Sequence, residues 1–485
     1  MTDMNRITTG HTVEKIGGTS MTDYDTICDN VILGNGDNNP YNKILVVSAY
    51  AGMTDLLLEH KKTGRPGIFA LFANADDDEA WEEAFLLLQQ KIKAINYDLF
   101  SNAVVRSKAD KFIQNRLDDV KNCLNDLQSL CEHGFFNLES HLHTVQEMLA
   151  SLGEAHSAWN TAQLLRSDGI NAKFIDLTGW DSAQDHELDK KITEFLKDID
   201  LDSQLPVVPG YTHCNDGMLS MYGRGYSEIT FSRIAVLSGA REAIIHKEYH
   251  LSSADPRVAG EDCVVPIGRT NYDVADQLAN LGMEAIHPRA AKGLRQNDIP
   301  LRVKNTFEPD HHGTLITKDY VSESPCVEII AGRKHIYAIE VFDQDMMGHV
   351  EDYDSEMLEL INRFNIDLIC KDNNANTITN FIHSSLKIIK RLSREMEKIW
   401  PEAEIKIRKV AIVSAIGSDM KVPGMLAKSV NALAKANISI QAMHQSMRQV
   451  DMQFIVDEDD YEPAVKCLHK ELIEVHDHGM AICAA

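Results

Sequence analysis

No run of the sequence reaches the roughly 18 consecutive apolar residues that a membrane-spanning helix needs. The first ten residues are polar, with one arginine and no apolar core. These features exclude a spanning segment and predict no secretory signal here. Patterned cysteine is also missing. Nine thiols, at 28, 123, 131, 214, 263, 326, 370, 467 and 483, form no CxxC pair and are odd in number. A disulfide scaffold and a zinc site are thereby excluded, and reduced thiols of a cytoplasmic protein are expected. Positive charge is in deficit: 48 Lys and Arg stand against 73 Asp and Glu, a net charge of −25. Such a surface repels phosphate backbones and anionic bilayers, so neither nucleic acid nor membrane is an expected partner. It suits a salty cytoplasm and still leaves room for one local nucleotide pocket.

What remains is an ordinary globular composition, 44% hydrophobic and 25% charged over 485 residues. That length suggests about three domains. The first 50 residues read strand, glycine turn, helix, strand: VEKIGG is followed by ILVVSA at 44–49, a continuous apolar run fit for a strand covered on both faces. Residues 55–165 read as amphipathic helices, among them EAWEEAFLLLQQKIKAI and KADKFIQNRLDDVKNCLNDLQSL. Strand-like runs then return as AKFIDL (172–177), PVVPGY (206–211), EAIIHK (242–247) and PLRVKN (300–305), with the helical EITFSRIAVLSGA (228–240) among them. Alternating strands and helices predict an α/β domain with a mainly parallel sheet. The polar segment 308–326 marks a boundary. Beyond it, VEIIAG, YAIEVF, DLICKD and TITNFI read as strands and DSEMLELINRF as a helix. A second set follows, with PGMLAKSVNALAKA and YEPAVKCLHKEL as helices and ISIQAMHQ and DMQFIVDE as strands. The two sets repeat at about 75 residues and read as two ferredoxin-like units.

Several short motifs have chemistry to offer. In Lys15-Ile16-Gly17-Gly18-Thr19-Ser20, adjacent glycines let a turn approach an anion, and a lysine with a following helix N-terminus would complete a phosphate cradle. Alone, it is equally a tight strand-to-helix turn. Ser48 to Asp55 ends the second strand, where open α/β sheets place ligands, with Thr54 or Asp55 as a helix cap. Glu154 sits beside Gly153 in helical sequence, and His156 reads as packing or surface. Arg224, between Gly223 and Gly225, presents a fork suited to carboxylate or phosphate, and Ser227 is placed to cap the next helix. Arg257, in the ADPR turn, is within reach of a phosphate.

The order of these motifs resembles that of the aspartate kinases, a branch of the amino acid kinase family. KIGGTS, VVSAYAGMTD (46–55), LGE (152–154), GRGYSE (223–228), ADPR (254–257), IHPR (286–289) and IPLRVKNTFEPDHHGTLI (299–316) follow that family's sequence of motifs. The tail, AIVSAIGSDMKVPGMLAKSVNALAKANISIQAMHQ, resembles paired ACT domains. The resemblance implies a three-layer αβα kinase domain at 1–318, with a helical substrate-side insertion at about 55–165. It implies a first ACT domain at 319–407, completed by 474–485, and a second at 408–473.

The resemblance also implies roles. Lys15 and Glu228 would be catalytic. Lys15, Gly17, Gly18, Thr19, Ser20, Ser48, Gly225 and Arg257 would hold the nucleotide and its phosphates, and Lys247, at a position that departs from the family pattern, would add a positive charge there. Thr54, Glu154, Arg224 and Ser227 would bind substrate, with Glu154 on the amino group of L-aspartate and Arg224 on its α-carboxylate. ATP and Mg2+ are the implied cofactors, the metal carried on the phosphates without a protein cage. Implied partners are L-aspartate, a second copy of the chain through the ACT domains, and lysine or threonine as effector. The loops at 346–352 and 418–423 are the candidate effector loops. Some positions depart from the family pattern: Tyr226 and Glu228 replace glycine and aspartate, His246 and Lys247 stand where a TD pair is usual, and Glu284 replaces a lysine. These departures and the helical insertion are similar to the divergent aspartate kinases of ectoine biosynthesis. Two other readings stay open: a catalytically degenerate ACT-type amino-acid sensor, and a kinase for another acidic amino acid.

Overall fold

The computed structural model describes residues 10–34, 39–61, 63–74, 78–133, 135–180, 187–283 and 285–474. Glu284 and 475–485 therefore lie outside the described residues. The chain packs as two compact units. The first takes residues up to 250 together with 286–318, and the second takes 251–285 with 319 onward. The sequence reading ran the first domain unbroken to 318, whereas segment 251–285 packs with the second unit.

In the first unit, β1 (Thr12–Ile16) is central. It pairs in parallel with β2 (Lys43–Val47) on one side. On the outer side of β2 come β4 (Leu205–Pro209) and then β3 (Ala172–Phe174), both parallel. On its other side β1 pairs with β5 (Glu242–Lys247), and the strand Leu301–Asn305 lies beyond, again parallel. Thr314–Thr317 adds an antiparallel strand. β2 and β4 are buried along nearly their whole length, as their unbroken apolar sequence requires. The insertion supplies helices Asp78–Leu99 and Ala103–Cys131 and leads into Glu139–Ser167, which packs on β2, β3 and β4. Helix Tyr226–Ser238 packs on β1, β2 and β5. Side chains alternate along β1, so Glu14 and Lys15 leave opposite faces of the sheet.

In the second unit, a six-stranded antiparallel sheet runs Asp367–Asn373, Thr377–His383, Ile329–Phe342, Glu404–Ile416, Asp451–Asp457, Ala442–Gln445. The first four strands, with helices Val350–Arg363 and Leu386–Ile399, have the ferredoxin-like order 2-3-1-4. The second half repeats that order by sharing the two long central strands, which pair with each other over 329–342 and 404–416. The boundary placed at 407/408 falls inside a single strand. VEIIAG and YAIEVF, read as two strands, are one 14-residue strand. Helix Tyr272–Asn280 lays Val274 and Leu278 on a cluster with Ile329, Ile336 and Ile412, which anchors segment 251–285.

Candidate active site

The parallel strands end together, and their carboxyl ends carry the first cluster. Lys15 stands opposite Ile245 in the sheet register, so Lys15 and Lys247 share a face. Lys15 Nζ lies 3.4 Å from Glu228 Oε1, both side chains nearly buried. Glu228 Oε2 accepts the backbone N–H of His287. Burial alone would push Glu228 up. The charges of Lys15 and Lys247 and the His287 N–H outweigh it and hold the carboxyl below its ordinary range. Glu228 is thus a fixed anion between two cations. The helix register puts it in the first turn of Tyr226–Ser238.

The glycine turn differs in detail from the expected cradle. The Gly17 N–H donates to the His246 carbonyl at 3.1 Å. It is therefore committed to the backbone. Gly18 is required for closeness: a Cβ there would lie 2.7 Å from the Ala49 carbonyl oxygen. The helix that follows is short, Tyr24–Ile27 running directly into a π-helical turn at Cys28–Ile32. Ser20–Thr22 is one 3₁₀ turn, and Asp23 caps the four-residue helix Tyr24–Ile27 by accepting from Thr26 N–H at 3.1 Å. Thr19 is exposed. Ser20 is fully buried with its hydroxyl 3.0 Å from that of Thr306, so it is a packing residue. Ser48 continues from β2, its N–H donating to the Ile16 carbonyl at 3.2 Å.

The second cluster adjoins the first. Glu154 is buried on helix Glu139–Ser167. Its Oε1 accepts the Ser227 hydroxyl at 2.6 Å, and its Oε2 has no hydrogen-bond partner. Burial pushes this carboxyl up to about 7, with the Ser227 hydroxyl, the charge of Lys15 and weak contacts from the Tyr211 and Ala49 backbone N–H groups as partial offsets. Ser227 is not the helix cap that the sequence suggests: the capping position is Gly225, and no side chain caps this helix. Nor do Thr54 or Asp55 cap theirs, which begins at Met53 behind Gly52 in a left-handed conformation at φ 75°. Thr54 instead bonds the hydroxyl of Tyr226. That tyrosine is buried edge-on against Tyr211, ring centroids 5.6 Å apart. Gly225 has no room for a side chain, since a Cβ would lie 2.3 Å from the His287 ring.

Arg224 is held from two sides. Its Nη1 donates to Asp55 Oδ1 at 2.6 Å and its Nη2 to the Glu59 carbonyl. Of its five N–H donors, those on Nε and the outer hydrogens remain to meet an anion. Asp55 lies in the quoted VVSAYAGMTD run and His287 in IHPR, yet the sequence suggested only a helix cap for Asp55 and no role for His287. His246 turns to the opposite face, its Nε2 2.7 Å from Glu14 Oε2. Glu14 is held down to about 2: burial pushes upward, and Lys43, His246 and the Thr12 hydroxyl more than reverse it. Of the unusual His246-Lys247 pair, only Lys247 belongs to the Lys15 face. Arg257 is in the other compact unit, where its guanidinium makes two hydrogen bonds to Asp255, at 3.0 and 2.8 Å. It is not among the residues that the first unit brings together. His156 is fully buried and bonds Asn96 at 2.7 Å, a packing role.

Among the described residues no group of three or more His, Cys, Asp or Glu could hold a metal ion. No helix among them is long and apolar enough to cross a membrane. What the site offers is two cations flanking one fixed carboxylate, beside a bare carboxylate oxygen and a partly engaged guanidinium. Those groups are complementary to a phosphoryl group and to a zwitterion.

The family described as the amino acid kinase family matches residues 11–305, and an ACT domain matches residues 413–472. The aspartate kinase Ask_Ect of Stutzerimonas stutzeri is 54% identical over 98% of this chain and 100% of its own. The aspartokinase of Saccharomyces cerevisiae is 24% identical over 95% of this chain and 92% of its own. Aspartokinase III of E. coli, solved with aspartate and ADP in its R-state, superposes with a TM-score of 0.71 at 20% identity, over 95% of this chain and 99% of that one. Its complex with lysine and aspartate, the T-state, gives 0.70 at 19%, over 96% and 99%.

Proposed function

The chain belongs to the amino acid kinase family, and from that premise we propose that it is an aspartate kinase. It transfers the γ-phosphoryl group of MgATP to the side-chain carboxylate of L-aspartate, giving 4-phospho-L-aspartate and ADP. The observation that carries this is the Lys15–Glu228 pair, 3.4 Å apart, beside Glu154 with its unpartnered Oε2.

The acceptor carboxylate is ionised at neutral pH, so no general base is needed. The work is positioning and charge stabilisation. Lys15 neutralises charge on the transferring group, and Lys247 adds a second cation on the same face. Glu228 fixes Lys15 and stays ionised. Magnesium carried on the ATP phosphates would supply further neutralisation there. Glu154 Oε2 receives the aspartate ammonium, which supplies the partner that oxygen lacks. Arg224, aligned by Asp55, receives the α-carboxylate through its remaining donors.

The finer reading extends to the whole chain. We place the reaction at the head of the aspartate-derived pathways to lysine and to ectoine, in the cytoplasm, on the motif departures and the reduced thiols. The catalytic part lies within 1–318 and the ACT pair within 319–485, the first ACT domain at 319–407 with 474–485 and the second at 408–473. The ACT pair would join a second copy and bind lysine or threonine.

A hydroxamate assay with MgATP, L-aspartate and hydroxylamine tests the reaction, with L-glutamate and no amino acid as controls. Aspartate-dependent aspartyl hydroxamate is expected. No signal across a range of salt concentrations would leave the degenerate sensor as the better reading. Lys15→Ala should cut kcat by orders of magnitude with a smaller effect on aspartate KM. Wild-type turnover in that variant would remove Lys15 from the chemistry.

A further inference from the structure

Glu147 has no part in the reading above, and no motif points to it. It lies on helix Glu139–Ser167, seven residues before Glu154. Seven residues are close to two turns, so both carboxylates leave the same helix face, about 10 Å apart along the axis. Glu147 is buried and fully engaged. Its Oε2 accepts from the Tyr211 hydroxyl at 2.8 Å and the Leu219 N–H at 3.1 Å. Its Oε1 accepts from the Ser220 N–H at 2.9 Å and the Ser220 hydroxyl at 3.2 Å. Two turns on, Glu154 takes the Ser227 hydroxyl. One rigid helix therefore holds the chain at 219–220 and again at 227, and Arg224 lies between the tethers. The other loop is held too: Tyr211 follows Gly210, where a Cβ would stand 3.0 Å from Glu154 Oε2.

We propose that Glu147 is a positioning residue for aspartate recognition, fixing where Arg224 stands relative to Glu154 by tying Tyr211 and the 219–220 backbone to the helix that carries Glu154. The proposal rests on the assignment of Arg224 and Glu154 to aspartate. Glutamine is a sharp probe because it keeps size and shape. Each Glu147 oxygen faces a backbone N–H, so the glutamine NH2 meets a donor whichever way the amide is turned.

The experiment is steady-state kinetics on the full chain carrying Glu147→Gln, well below its thermal midpoint. The KM for aspartate should rise roughly tenfold, with the KM for ATP moving by less than about twofold. A lower melting temperature with unchanged aspartate KM would mean a purely structural anchor and would overturn the proposal. Glu154→Gln is run alongside. If it too leaves the aspartate KM unchanged, the site assignment itself fails. If it raises KM while Glu147→Gln does not, only the positioning role fails. Should Glu147→Gln not fold, Tyr211→Phe decides: a rise in aspartate KM of about two- to threefold is expected from loss of one of four bonds, and unchanged KM overturns the proposal.

Discussion

Glu154 and Glu228 both feel the charge of Lys15, yet they move in opposite directions from the ordinary carboxylate range. The difference is local. Glu228 has Lys15 at 3.4 Å, Lys247 nearby and a backbone N–H on its second oxygen. Glu154 has one close hydroxyl, only weak backbone N–H contacts from Tyr211 and Ala49, and an Oε2 with no well-formed hydrogen bond. Its folded value, about 7, stands above the ordinary 4.5. The sign follows: the neutral form is favoured by folding, so this contribution to stability is complete below 4.5 and is lost as pH rises through about 7. Substrate recognition runs the other way, because only the ionised form pairs with an ammonium. The apparent KM for aspartate should therefore fall as pH rises through about 7. In Glu154→Gln that limb should flatten, and the overall KM should rise more for aspartate than for ATP. Steady-state pH profiles of both enzymes check this. A variant that kept the wild-type limb would assign it to another group.

At the level of elements, the site depends on how closely the turns after β1 and β2 approach each other. Gly18 has only 2.7 Å between a would-be Cβ and the Ala49 carbonyl, and backbone cannot step aside as a side-chain tip can. Gly18→Ala should destabilise the chain by about 1–3 kcal/mol and lower kcat/KM. Urea unfolding and initial rates measure the two effects, and a variant as stable as wild type would deny the close approach. Elements of this kind were legible in the sequence because their signals are local. EAIIHK is the strand Glu242–Lys247 without change, and YEPAVKCLHKEL is the helix Tyr461–Leu472. The failures have physical causes. The strand Ile329–Phe342 reads as two because Arg333 to His335 interrupts its apolar pattern where the pairing shifts register, with His335 at φ 61°. ISIQAMHQ pairs only over Ala442–Gln445, because Asn437 at φ 60° follows the helix end and its neighbours form the connection. The partner of Arg224 was hidden for another reason: Asp55 is 169 residues away, a distance that no local pattern spans. The same holds for segment 251–285, which the motif order puts inside the kinase domain but whose apolar residues are buried against residues beyond 319.

Over the whole molecule, charge sets a condition that no single contact reveals. With 73 carboxylates and 48 basic side chains, complete pairing would still leave 73 − 48 = 25 carboxylates without a cation. Exposed pairs such as Lys190–Glu187, at 3.5 Å, are worth only about 0–1 kcal/mol each, so screening them costs little. Self-repulsion among the excess acids acts across the surface and opposes the compact state. Raising KCl from about 0.02 M to about 0.5 M shortens the Debye length from roughly 20 Å to roughly 4 Å. Folding should therefore become more favourable with salt, read as a higher urea midpoint with an unchanged slope. Because the chain divides into two compact units, the transition should be followed by two probes, one for each unit. Both midpoints should rise. A midpoint that stayed flat or fell with KCl in either unit would mean that its carboxylates are locally compensated, and that the net charge of −25 does not govern its stability.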